Sequence, residues 1–343
     1  MSWHHSGLPR GRAFLPLLLG LASGAAGAQS HVQLYGIVDA GIRHFPNLAV
    51  GEQRILGVDD GIRNRFGFRM KEELGDGLSA FVRLESSFRM DTGAQRDPAR
   101  FWDDKAWVGL ASLRYGTLIA GRIRTPIDDM VSGTRFEAFG GYSLASSLSR
   151  TGKASDAWDN AVYYTSPNLD GLKAGIGMRA GEGTLRRSWG AHVEYASGPI
   201  DIVASYQVDG ESLVSDRRSY NLSATYVLGF AKLFGTYVRT VDIGDYDAGR
   251  AYAATCGIQI PLRIGQLRAS ARRSPNTFAN GVNDRAGDID TTHLGIGYHY
   301  PLSKSTSINA SLVRQTRKTY DAGGTALTRR RGSGYDIGIR HYF

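Results

Sequence analysis

Between residues 64 and 90, basic side chains return at even spacings: Arg65, Arg69, Lys71, Arg83 and Arg89, with Glu85 among them. Phe66, Phe68, Met70, Ala80, Val82, Leu84, Phe88 and Met90 occupy the alternate positions. Arginine keeps its proton at any workable pH, so a row of guanidinium groups gives fixed positive charge and hydrogen-bond donors, not proton transfer. Facing water, such a row draws anions toward it and repels cations. A second set of charges lies in the stretch 125–156, TPIDDMVSGTRFEAFGGYSLASSLSRTGKASD, with Asp128, Asp129 and Glu137 beside Arg135 and Arg150. Acids on one side of a passage and bases on the other would set a transverse field.

Positions that alternate in this way belong to strands, whose side chains point to opposite faces with period two. Gly75-Asp76-Gly77 separates the two runs as a hairpin signal. The same pattern recurs to the end of the chain, giving sixteen expected strands, the first over 31–44 and the last over 331–343. Expected connections at 74–77, 113–115, 168–170, 198, 229, 262 and 302 are short. Those at 45–60, 92–100, 125–156 and the later alternate positions are mostly longer. Tight turns at one end and loops at the other suit an antiparallel β-barrel across a membrane. A soluble β-sandwich gives no reason for that asymmetry.

The charged face could not be buried in a dry core. Lipid outside and water inside meets the needs of both faces, and closure pairs every strand edge. The expected fold is therefore an all-β transmembrane antiparallel barrel of sixteen strands, with the long loop 125–156 folded into the lumen. By strand parity Arg65, Arg69 and Arg83 line the wall, with Lys71 nearer the tight-turn end. Arg43 and Arg340 lie on inward rows of the first and last strands, beside Asp39 and Asp336, and these strands become neighbours on closure. Arg122 and Arg124 stand at the root of the long loop.

Residues 1–28 carry Arg10 and Arg12, then AFLPLLLGLA, then Ala26-Gly27-Ala28, the pattern of a cleaved secretory signal. One barrel domain is expected over 29–343, and the lone Cys256 allows no internal disulfide. The formal charge is +9, reduced by two, to +7, without Arg10 and Arg12. The basic residues are dispersed and not gathered in a stripe, which argues against nucleic acid. The histidines His31, His44, His192, His293, His299 and His341 sit in no nucleophile or metal motif, so neither an enzyme nor a cofactor is expected.

Several stretches resemble the general diffusion porins of Gram-negative outer membranes, in the beta-proteobacterial and neisserial branch. They are VQLYGIVDAG (32–41), NRFGFRMKEELGDGLSAFVRLE (64–85), WVGLASLRYGTLIAGRIRTP (107–126), FEAFGG (136–141), DNAVYYTSPNLDGLKAGIGM (159–178) and GIRHYF (338–343). Where that family commonly has SR and GFKG around its second strand, this chain has Asn64-Arg65 and Gly67-Phe68-Arg69-Met70. The resemblance implies a homotrimer in the outer membrane, a third extracellular loop folded into the pore, and a wall role for Arg122. It also implies that Phe343 belongs to a signal read by the outer-membrane assembly machinery. The expected function is passive diffusion of ions and small hydrophilic solutes with a preference for anions. A channel selective for one anion or small solute is the alternative.

Overall fold

The computed structural model describes residues 31–44, 56–59, 63–131, 135–140, 143–146, 155–183, 185–210, 216–243, 250–277, 289–321 and 323–343; the expected signal segment lies outside them. The strands are β1 (His31–His44), β2 (Leu56–Asp59), β3 (Asn64–Gly75), β4 (Leu78–Phe88), β5 (Lys105–Ser112) and β6 (Gly116–Arg124). After a short helix α1 (Pro126–Val131) come β7 (Ala157–Thr165), β8 (Leu172–Arg179), β9 (Ser188–Ser197), β10 (Ile200–Gly210) and β11 (Asp216–Val227). The remainder are β12 (Lys232–Ile243), β13 (Arg250–Pro261), β14 (Gln266–Thr277), β15 (Ile289–Pro301), β16 (Thr306–Tyr320) and β17 (Ala326–Tyr342).

Every pairing is antiparallel, and β1 pairs with β17, which closes the sheet into a barrel. β2 and β3 act as one stave. Gly41–His44 of β1 pair with β2, while His31–Ile37 pair with β3. The side chain of Asn64 bridges the break: its amide donates to the Asp39 carbonyl at 3.0 Å, and its oxygen accepts from the Asp39 N–H at 2.5 Å. Seventeen segments thus build a sixteen-stave antiparallel barrel.

Most boundaries shift by up to three residues, and three differences are larger. Leu56–Asp59 pairs with β1 inside the stretch expected as a loop over 45–60. β5 starts at Lys105 and not at 101, because the Asp103 carboxylate bonds the Ser87 N–H instead of extending the strand. β17 starts at Ala326 and not at 331, its polar upper half giving no period-two hydrophobic signal.

The faces are inverted relative to a soluble barrel. Val32, Leu34 and Ile42 of β1, Val108 and Leu110 of β5, and Ile337 and Ile339 of β17 are exposed on the outside. Ser205, Gln207 and Asp209 of β10 and Ser219, Asn221 and Ser223 of β11 are buried on the inside. The tight turn between β3 and β4 uses positive φ at Gly75, Asp76 and Gly77, as the hairpin signal requires.

The barrel closes to its last atom. Phe343 N–H donates to the Gly36 carbonyl at 3.2 Å, and Gly36 N–H donates to the Phe343 carbonyl at 2.9 Å. The Phe343 ring lies where a side chain at Gly36 would be, so glycine is what lets the ring settle there.

Candidate functional site

The lumen-facing wall of β1, β3, β4 and β5 is built from cross-strand rows. Tyr35, Gly67, Glu85 and Lys105 are successive partners in one row. Gln33, Arg69, Arg83 and Trp107 form the next row toward the tight turns. Arg65 stands on the other side, opposite Ile37 and Ser87. Gly67 has no side chain, so Tyr35 and Glu85 meet across it, and the tyrosine hydroxyl donates to the carboxylate at 2.6 Å. Arg83 reaches the same carboxylate at 3.1 Å, Lys105 at 3.2 Å and Arg65 at 3.3 Å. Arg69 lays its guanidinium over the Tyr35 ring, 3.9 Å from the centroid, a cation–π arrangement.

Glu85 is fully buried, while Arg65 and Arg83 keep about a fifth to a quarter of their side chains exposed to the lumen. Three cations therefore share one interior carboxylate. Among the described residues no carboxylate pairs with Arg69. Arg69 and Arg83 are direct cross-strand partners, and like charges placed so repel each other. Such an arrangement holds only beside water and mobile anions, and it presents positive potential to the passage.

The long loop leaves the barrel wall at a tied neck. Thr125 N–H donates to the Asp156 carbonyl at 3.1 Å, and the Thr125 hydroxyl donates to the Ser155 carbonyl at 2.8 Å. Below the neck, Ile123, Trp158 and Ala161 form a buried cluster, and the Trp158 indole donates to Asp209 at 2.8 Å. α1 packs against β8–β11, where its Ile127 meets Val238 of β12. Arg135 then clamps the loop to the wall, bidentate on Asp201 at 2.5 and 2.7 Å and bonded to Glu194 at 2.6 Å. The Glu194 hydrogen bond leads the causes that raise the Arg135 pKa above the usual guanidinium range.

Further along, the loop carbonyls of Ala138 and Ala145 accept from Gln259 of β13 at 2.6 Å and Ser270 of β14 at 2.8 Å. Leu144 N–H donates to Asp336 of β17 at 3.0 Å. The loop thus runs inside the barrel along β9 to β17. It rests where glycines clear the wall: a Cβ at Gly257 would lie 2.9 Å from Ala138, and one at Gly297 would lie 2.8 Å from the Phe139 ring. The Arg65, Arg69 and Arg83 wall stands on the other side of the lumen.

The remaining residues singled out from sequence take several places. Arg43 pairs with Asp336 at 3.6 Å and Arg340 with Asp39 at 2.8 Å, both across the β1–β17 closure. Lys71 bonds Glu73 at 2.6 Å on the exposed rim. Arg122 bonds Asp159 at 2.5 Å, and Arg124 contacts Asp104 and lies 3.0 Å from Asp128. These two arginines line a mixed-charge cavity of about 440 Å³ with Arg63, Arg96, Asp103 and Asp156. Glu137 is buried, accepting from Phe139 N–H at 2.9 Å and Ser146 at 3.1 Å. Asp129 falls within α1, its side chain outside the described residues, and Arg150 lies outside them altogether.

Sequence reading placed Glu85 in the charged row without making it the centre of a cluster, and did not single out Tyr35 or Lys105. The signal for them is the register: once β1, β3, β4 and β5 are aligned, they fall in one row. Among the described residues no cluster of His, Cys, Asp and Glu has the makings of a metal site.

Comparison with known proteins agrees with this architecture. The chain is 28% identical to an outer membrane porin protein of Bordetella pertussis, over 95% of this chain and 98% of that one. It is also 28% identical to outer membrane porin protein 32 of Delftia acidovorans, over 97% and 99%. Among solved structures, the anion-selective porin from Comamonas acidovorans superposes with a TM-score of 0.74 at 23% identity, covering 92% of this chain and all of that one. OmpT of Vibrio cholerae in its trimer form superposes with a TM-score of 0.67 at 16% identity, covering 92% and 99%. The profile of Gram-negative porins matches residues 17–320. With a closed barrel, a wetted interior and a loop laid inside it, the chain belongs to the Gram-negative porin family and forms an outer-membrane channel.

Proposed function

We propose that this porin passes small hydrophilic solutes by diffusion and prefers anions. The observation that carries the reading is the wall where Arg65, Arg83 and Lys105 converge on Glu85 with Arg69 beside them over Tyr35, Lys105 alone reaching a second carboxylate, Asp104 at 3.3 Å. Two described loop acids do not offset it, since Asp128 sits against Arg124 and Glu137 is turned to its own loop. The printed description of the Comamonas protein as anion-selective agrees with it.

The working form in this reading is a homotrimer, supported by the trimer form of the Vibrio relative. Residues 1–28 are removed on export. Phe343, hydrogen-bonded to Gly36, gives the assembly machinery a terminal strand that is read before closure. Zero-current potentials across a planar bilayer under a salt gradient test the selectivity. The expected sign is that of anion preference, weakening as salt rises and screens the wall; a cation preference would overturn the proposal. A current that one solute blocks at saturation would identify the selective channel instead.

A further inference from the structure

At the loop end of the barrel, the ends of β6 and β8 and the segment between β4 and β5 enclose the mixed-charge cavity of about 440 Å³. That volume is of the size that holds a small molecule. Its charges are sorted by depth. Arg124 keeps 14% of its side chain exposed and Arg63 33%, whereas Asp156 and Asp159 keep 43% each. Glu182 is exposed as well. Asp103 lies deep, but its carboxylate accepts from the Ser87 N–H at 2.6 Å. Arg100 lies on the open side, where Asp159 takes it at 3.0 Å. The deep side is therefore basic and the open side acidic. Burial and the charges of Arg124 and Arg96 lower the pKa of Arg63, which fits cations crowded at the floor.

Arg179 lines the same cavity and meets only neutral acceptors. Its Nη2 donates to the carbonyls of Gly210 at 3.1 Å and Arg186 at 3.3 Å. Its Nε is buried without a hydrogen-bond partner, and among the described residues no carboxylate pairs with it. A guanidinium has five N–H groups in a fork that matches a carboxylate, so Arg179 keeps donors for a ligand. Three residues on, Glu182 has one oxygen on the Asn160 amide at 2.7 Å. Asp156 stands 4.0 Å from Arg124. A carboxylate accepts at about four lone-pair sites, so both acids can take an ammonium group as well.

We propose that this cavity binds a zwitterionic solute of amino-acid or short-peptide size, its carboxylate on Arg179 and its ammonium group between Asp156 and Glu182. A simple anion is drawn to the deep arginines and repelled by the acids at the opening. A simple cation meets the reverse. A molecule with both charges satisfies both sides at once. The residues are not those of the Arg65, Arg69 and Arg83 wall, so a cation-preferring pore would leave the site standing.

Isothermal titration calorimetry of the protein in detergent, with glycylglycine as the probe, tests it. Glycylglycine is expected to bind saturably. N-acetylglycine, which lacks the ammonium group, and glycinamide, which lacks the carboxylate, should each bind at least about tenfold more weakly. Arg179→Gln should bring glycylglycine down to the level of glycinamide, and D156N/E182Q down to the level of N-acetylglycine. K304Q, at a turn on the opposite end of the barrel, should bind as wild type does. Where a variant does not fold, wild type decides through pH. Its affinity for glycylglycine should fall as the amine of the probe loses its proton near about pH 8, while that for N-acetylglycine stays level. Equal affinity for N-acetylglycine and glycylglycine would leave an anion site only and overturn the proposal. So would the absence of saturable binding, or glycylglycine binding indifferent to both pH and substitution.

Discussion

The closure seam and the lumen wall are made of the same residue types and do different things. At the seam between β1 and β17, Arg340 meets Asp39 and Arg43 meets Asp336, one acid for each base, and all four side chains are nine-tenths or more buried. At the wall of β3–β5, cations outnumber acids, and the arginines stay partly wetted. Balanced and dry, charge fixes the register of two strands far apart in sequence. In excess and wet, it sets a potential. Counting arginines on inward rows does not separate these roles; counting the acids within reach of each does.

The widest break in this contrast is expected from Arg340→Ala. It strands the Asp39 carboxylate in the seam and should cost about 3–5 kcal/mol, read as a lower unfolding temperature in detergent with ion selectivity unchanged in whatever channel remains. Loss of selectivity with stability intact would place the seam in the filter. Next, R65S/R69S/R83S is expected to shift the zero-current potential several-fold toward cations; an unchanged potential would put selectivity elsewhere.

Glu85→Gln sharpens the comparison from the other side. It should increase anion preference, because the cluster loses its one shared carboxylate, and also lower stability. A decrease in anion preference would show that Glu85 chiefly holds the arginines in place. Arg135→Ser releases the loop from Asp201 and Glu194 and is expected to raise single-channel conductance and current noise more modestly, with selectivity little changed.

The smallest effect concerns acid. Burial alone would raise the Asp104 pKa, but hydrogen bonding and the charges of Lys105, Arg124 and Arg63 lower it well below the ordinary carboxylate value. The stability it contributes is present above that ordinary value and is lost only as pH falls through the depressed one. Replacing Asp104 with Asn should therefore abolish a stabilisation seen at neutral pH and leave stability in strong acid unchanged. A loss that persists undiminished in strong acid would assign it to packing instead.

The barrel was legible because its grammar is local. Period-two alternation around Gly75-Asp76-Gly77 locates β3 and β4 to within a few residues, and parity puts Asp39, Arg43, Asp336 and Arg340 on inward rows of strands that closure makes neighbours, while which acid meets which base is set by the register. The convergence at the wall was less so. Tyr35 reads as one more aromatic in a strand until Gly67 is known to stand beside it and Glu85 beyond. Lys105 follows a stretch, Phe101–Asp104, whose aromatics and acids gave no clean strand boundary. The partners of Asp128 and Glu137 depend on the path of a folded loop, which has no periodicity to read.

The loop inside the barrel rests on Gly257, Gly295 and Gly297, where the wall offers no side chain to hold it off. The calibre of the channel is consequently written in the staves as much as in the strap that crosses them. A single methyl at Gly257 would lift the strap inward and narrow the bore without altering one charged atom, so throughput and ionic preference can drift apart in evolution through separate sets of positions.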